Sequence, residues 1–490
     1  MDDTAGANPI ARRRFLAAMA AAGFAIPAAG AEGPEETPAS SLAGRLAAYA
    51  EALRWDDVDA ATLEAVKVLT VDSFGCAVAA YDERPVRICR EIAGTAGGPS
   101  TILGVGARTT PDLAAFANAA AIRYYDLNDV YVAREASHPS DAIAACFAVA
   151  ELVDAPAKDL VTAIVLAYEI ECRLVDAFDL SARRFDTTLF TLPAVALAAG
   201  RLMKLDRTRL TEAVNIAVND HVPLAQTRTQ TLSDWKGVAD ANAVRNGVFA
   251  ALLAQRGLTG PAPVFEGRSG LFRSVVPPVE IDTTAFGGGG RPFRIANAGL
   301  KAFPAQVYTQ TAIVAAQAVA KEAGPLERIA AVEVATTARG YLMSASEPEK
   351  WAPRTRDTAD HSLPYIVARA MFDGDVTNDS YAPARLADPA ILAFMKKITV
   401  LEDKAFAAPR GNAPPTRITA TLEDGRRIVH EVDDMPGFPG HPMDRAGAER
   451  KFRGNAGSRL PAARVRSVLD ALWDLEHAAD AGAVLRALTV

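Results

Sequence analysis

The stretch FGGGGRPFR at residues 286–294 divides this chain. Four consecutive glycines carry too much backbone freedom for the interior of a helix or strand, so the run predicts a boundary or hinge. On its N-terminal side, from about residue 42 to 290, the pattern is helical. Residues 141–153 place Ile143, Cys146, Phe147 and Ala150 on one face. Pro139-Ser140-Asp141 supplies a helix start, with a Ser or Asp side chain to cap the free N–H groups. LFTLPAVALAAGRLMK (189–204) is apolar nearly all round and predicts a central core helix.

On the C-terminal side the text changes. IAAVEVATT (329–337), KKITVLE (396–402) and TRITATLEDGRRIVHEV (416–432) predict strands, the last with a hairpin turn at Asp424-Gly425. Helices are expected between them at about 309–322 and 362–372. MPGFPGHP (435–442) closes the unit, and residues 461–488 return to helix with Val465, Val468, Leu469 and Leu472 as one stripe. The expected fold is mainly α. Residues 42–290 and 441–490 form an all-helical domain from both ends of the chain, and a smaller α+β unit is inserted at 291–440.

The totals agree. Of 490 residues, 50% are hydrophobic and only 7% aromatic, with Ala supplying much of the apolar count, which suits close-packed helices better than large sheets. The net charge is −7 with no basic block past the N-terminus, so nucleic acid is not an expected partner. Residues 1–31 hold Arg12, Arg13 and Arg14, an apolar run and small residues around Ala29-Gly30-Ala31, the layout of a twin-arginine signal peptide. Its removal takes away three Arg and two Asp and leaves a net charge of −8. Residues 32–41 read as a linker. Export to the periplasm is expected, and no later run is apolar enough for stable membrane insertion. Cys76, Cys89, Cys146 and Cys172 form no C-x-x-C pair, so buried thiols are expected rather than a metal or iron–sulfur site.

The chemistry-bearing stretch is DLNDVYVAREASHPSD (126–141). It packs Asp126, Asn128, Asp129, Tyr131, His138 and Asp141 between two apolar helices. A capped turn explains any one of them. Together they favour a site, because buried acids without a purpose are costly, and a His titrates near neutrality with a carboxylate to orient it. Lys236 in LSDWKG (232–237), Lys301, Tyr308 and Gln310 in LKAFPAQVYTQTAI (300–313) and His361 in DHSLPY (360–365) add groups that are weak signals by spacing alone. There is no H-E-x-x-H, P-loop, G-x-G-x-x-G after a strand or G-x-S-x-G. Acid–base chemistry without metal or cofactor remains, with lysines available for anions.

Taken in order, IRYYDLNDVYVAREASHPSD, SDWKGVADANAVRNGVFAALLAQRGLTGP, LKAFPAQVYTQTAI, TADHSLPYIVARAMFDG and KFRGNAG resemble the MmgE/PrpD family, closest to its dehydratase branch. The resemblance runs from about residue 42 to 488. It implies a homodimer, an α+β lid over the helical body and an active site between the two. Its functional residues fall on Asp126, His138, Lys236 and Lys301, with Asn128, Asp129, Tyr131, Tyr308, Gln310 and His361 as expected substrate contacts. Val130 stands where the family has Thr, and Gln306 and Gln310 where its lid motif often has His. Tyr308 or His361 would then replace the second acid–base group. The expected activity is a hydro-lyase acting on a small hydroxy di- or tricarboxylate such as a 2-methylcitrate-like acid. Epimerisation or decarboxylation of a related acid is the first alternative. A carboxylate-binding protein without turnover is the second.

Overall fold

A computed structural model describes residues 39–219, 221–406 and 413–490. The expected signal at 1–31 and most of the linker lie outside the described residues. The chain is mainly α, as its composition implies, with three small sheets among the described residues. The helices used below are α1 (Pro111–Arg123), α2 (Asp141–Val153), α3 (Ala157–Ala177), α4 (Thr188–Leu202), α5 (Ala239–Gln255), α6 (Gln310–Ala323), α7 (Leu363–Asp373) and α8 (Arg445–Ala456).

One apolar core draws on both ends of the chain. Phe74, Phe147, Tyr168 and Leu197 come from the N-terminal part, and Phe452, Val468 and Leu485 from the C-terminal part. At the centre, α4 is buried at all but one of its positions, as its all-round apolar sequence requires. Helix α5 packs closely against α4 because Gly247 has no side chain; a Cβ there would sit 2.7 Å from that of Val195. A second core joins Ile313, Val334, Ile366, Ile398 and Ile418 around a four-stranded sheet. With β1 (Ser100–Thr101), β2 (Arg108–Thr109), β3 (Asp129–Val132), β4 (Ala136–Ser137) and β5 (Gly299–Leu300) counted first, that sheet holds β6 (Ile329–Thr336), β7 (Ile398–Glu402), β8 (Thr416–Leu422) and β9 (Arg427–Val432). Its order is β7-β6-β8-β9, with only the β6–β7 pair parallel. The β8–β9 hairpin turns at Asp424-Gly425 as expected, with Gly425 at φ +87°.

The glycine run is a tight turn fixed to the helical layer. Gly288, Gly289 and Gly290 all take positive φ, which only glycine adopts without strain. Buried Glu169 on α3 clamps both sides of the turn, accepting from Gly287 N at 2.8 Å and Arg294 N at 2.7 Å. Phe293, Ile295 and Leu300 still belong to the first core, and the second begins at Ala305. The crossing therefore falls just after β5. That strand pairs antiparallel with β3, setting Leu300 opposite Asp129, and so delivers residue 301 beside residue 126.

All four cysteines are buried and free. Among the described residues no helix is long and apolar enough to cross a membrane.

Candidate active site

The site is built around Asp126. Helix α1 ends just before it, and Asp126 itself adopts φ +53°, a left-handed conformation that Asp tolerates better than most residues. That kink turns its carboxylate inward, where it is fully buried. Three cations meet it. Arg123 donates to Oδ1 at 2.7 Å, Lys236 to Oδ2 at 3.1 Å, and Lys301 makes a short contact to Oδ1. Lys236 and Lys301 are 110 and 175 residues away in sequence. Burial alone would raise the pKa of Asp126, but the three cations outweigh it and hold the carboxyl well below the usual carboxylate range.

Two imidazoles face this carboxylate. His138 Nε2 lies 3.8 Å from Asp126 Oδ1, and His361 Nε2 lies 4.0 Å from Oδ2. In each ring the other nitrogen is committed. His138 Nδ1 donates to the Asp129 carbonyl at 2.6 Å, and His361 Nδ1 to Asp360 Oδ1 at 2.5 Å. A neutral ring held this way carries its free lone pair on Nε2. Burial is the main cause that disfavours the charged ring in both. Arg123 and Lys301 add to it at His138, whose pKa falls well below 6.5, and Lys236 adds to it at His361, which is pushed down to about 3. Both are neutral bases at pH 7. Burial also lowers Lys301, to about 8, with Asp126 opposing.

Asp360 extends the network. It shares Lys236 at 3.3 Å and takes Arg356 at 3.1 Å. Asp126, Asp360 and His361 lie close enough together for a metal, but the Lys236 ammonium already stands between the two carboxylates. The residues present are matched to a resident lysine rather than to a metal ion.

A cavity of about 670 Å³ opens over this floor. Of the residues singled out in the sequence, Asp126, His138, His361 and Tyr308 line it. The other expected residues are placed elsewhere. Lys236 and Lys301 are fully buried against Asp126, not on the cavity wall. Asn128 bonds Ser140 and Asp141, so neither of those side chains caps α2. Asp129 and Tyr131, two apart on β3, share a face and bond Tyr168 and Asp176 of α3. Gln310 ties down the loop after Lys301, accepting from Ala302 N and Phe303 N and donating to the Phe303 and Ala305 carbonyls. Val130, on the opposite face of β3, packs in an apolar cluster with Tyr308 and Phe438. This strand alternation sends the polar and apolar side chains of β3 to different places within the 126–141 stretch.

No sequence motif singles out the arginines of the cavity. Arg123, Arg184, Arg228 and Arg339 line the cavity. Arg228 is paired with Asp186 and Asp240, and Arg339 with Glu135 and Asp179. Arg184 is solvent-exposed and makes no ion pair with any described residue. Only the Arg123–Asp126 spacing of three offered a local signal.

The fold and floor together define a class: a mainly α protein with paired neutral imidazoles around an ionised, cation-locked carboxylate. The MmgE/PrpD N-terminal domain model matches residues 44–284 and the C-terminal domain model residues 303–475, so this chain belongs to the MmgE/PrpD family. It is 28% identical over 444 residues to 2-methylcitrate dehydratase of Salmonella typhimurium, covering 82% of this chain and 88% of that protein. The 2-methylcitrate dehydratase of Cupriavidus necator is 26% identical over 441 residues with the same coverage. The human cis-aconitate decarboxylase is 26% identical over 386 residues, 76% of this chain and 78% of its own.

Proposed function

We propose that the protein is a hydro-lyase that removes water from a small hydroxy di- or tricarboxylate, without a cofactor, by acid–base chemistry. The observation that carries this reading is the pair of Nε2 atoms facing Asp126 at the floor of the cavity, each ring fixed through its Nδ1. His138 takes the proton α to a substrate carboxylate. A neutral imidazole with its lone pair aimed into the cavity is poised for that task, and such a group contributes ~10²–10⁴-fold.

The departing β-hydroxyl needs a proton. His361 is neutral and its one N–H is committed to Asp360, so it has none to give. Tyr308 lines the cavity and keeps its proton, since burial pushes the phenol up to about 12. It is the proposed acid, and His361 accepts a hydrogen bond from the substrate. Asp126 stays ionised and serves as the fixed counter-charge that Lys236, Lys301 and the incoming imidazolium share. Arg184 and Arg339, at the cavity wall, are the proposed partners of the substrate carboxylates, offsetting charge that develops on the enolate-like intermediate.

Two bases beside one carboxylate also suit a two-base proton exchange, so epimerisation is the second reading. The test is a panel of hydroxy, unsaturated and amino di- and tricarboxylates followed by proton NMR in deuterated water. Alkene formation supports dehydration; solvent deuterium at the α-carbon without water loss sinks it in favour of epimerisation. Binding without turnover across the whole panel would instead mark a carboxylate-binding protein. Export through residues 1–31 and assembly as a homodimer belong to the same proposal. The N-terminal sequence of periplasmic protein and a solution mass for the purified chain test them.

A further inference from the structure

The cavity has two chemically different ends. Its floor is polar and closed: Asp126 and His361 are no more than 2% exposed. Its rim is open and apolar along one side, with Arg184, Gln226, Gln230 and Glu347 among the polar groups on the rest. Leu224 and Leu342 are 62% and 56% exposed, and both line the same cavity together with Phe185, Val307 and Met343. Scattered surface leucines need no explanation. Here they come from distant parts of the chain, one from the segment before α5 and one from the segment after β6, and converge on one opening. An apolar surface rimming a ligand cavity marks what the ligand brings to it. A compact tricarboxylate would satisfy the floor and leave this wall wet.

From this we infer that the substrate carries an alkyl chain of several carbons on its carboxylate-bearing head. The head sits at His138 and His361, and the chain runs outward over Val307 and Phe185 to Leu224 and Leu342. The chemical class is an alkyl-substituted hydroxy di- or tricarboxylate. Arg184 and Glu347 share the rim, so the wall accepts the chain along one side while the head's charges stay at the floor and at Arg184. The inference rests on the hydro-lyase reading of the floor for its head group, but the chain-length preference is a separate property.

The test uses the purified full chain and a series of hydroxy tricarboxylates bearing hydrogen, methyl, ethyl, propyl or butyl at one carbon. Alkene formation is read by NMR and affinity by calorimetry on the same series. kcat/KM is expected to rise about three- to fourfold per added carbon, the factor for burying one methylene. L342Q and L224Q should each shrink the butyl-to-methyl ratio. A ratio that is flat or falls from methyl onward overturns the inference while leaving the hydro-lyase reading intact. A second copy of the chain seated on Leu224 and Leu342 would give that flat result. If no member is dehydrated, the hydro-lyase reading fails. Affinity then decides: a rise with chain length upholds the alkyl site, and a flat or falling affinity overturns it.

Discussion

Lys451 on α8 donates its ammonium to the backbone carbonyl of Leu127 at 2.8 Å, one residue past the left-handed kink at Asp126. The same ammonium pairs with fully buried Asp72 at 2.6 Å. The C-terminal part of the chain therefore braces the turn that aims the central carboxylate, which explains why the helical layer is closed by both ends.

Two roles of Lys451 are separable. K451M leaves Asp72 buried and unpaired, a loss of ~3–5 kcal/mol in denaturant unfolding. D72N added to K451M should recover much of that stability. Activity should stay down by about 10²-fold in the double variant, because the Leu127 carbonyl is still unbraced and the site misplaced. Recovery of both together would show that Lys451 acts on stability alone.

Much of the architecture was readable before the structure. The period of two in 416–432, the Asp-Gly turn and the apolar run at 189–204 each correspond to the element they predict, because in those segments local propensity and burial agree. The site was readable less evenly. His138 and Asp126 share one stretch, but Lys236 and Lys301 are joined to it only through the β3–β5 pairing and the packing of the body, which no spacing rule encodes. A buried charge also looks like a surface charge in sequence. Lys236 is fully buried while its neighbour Trp235 is 49% exposed, the reverse of what their side chains suggest. Asp360 was passed over beside the more conspicuous His361 for the same reason.

The pH profile should have an alkaline limb set by Lys301. Its pKa of about 8 means that the ammonium is lost above that pH, removing one of the three charges on Asp126. The acid limb should lie below pH 6.5, because His138 stays a neutral base until well under its usual value. In K301R the guanidinium never deprotonates in this range. The alkaline limb should then move up by a unit or more in a plot of kcat/KM against pH. An unchanged limb would assign it to another group.

Tyr308 is the proposed proton donor, and its hydroxyl is the atom to remove. Y308F should lower kcat by ~10²-fold or more with a smaller change in KM, since the aromatic ring and its packing against Val130 remain. A change confined to KM would make Tyr308 a binding group only.

Glu171 on α3 is buried beside the 126–141 stretch, where Ser137 donates to it at 2.6 Å. Burial, the largest cause, raises its pKa to about 8 from an ordinary 4.5. A raised folded pKa means that the folded state binds the proton more tightly. The stabilisation is complete below about pH 4.5 and is lost as pH rises through 8. E171Q mimics the protonated acid, so its melting temperature should exceed that of the unaltered protein by a few degrees at pH 8 and match it near pH 5. Equal differences at both pH values would contradict the raised pKa.

The central claim is that His138 Nε2 removes a substrate proton and water leaves. The most direct measurement follows a 2-methylcitrate-like acid by proton NMR in deuterated water, with the unaltered protein and with H138A side by side. The account predicts alkene formation by the unaltered protein, and a rate ~10²–10⁴-fold lower with H138A at comparable thermal stability. Turnover unchanged in H138A, or solvent deuterium appearing at the α-carbon with the hydroxyl retained, would contradict it.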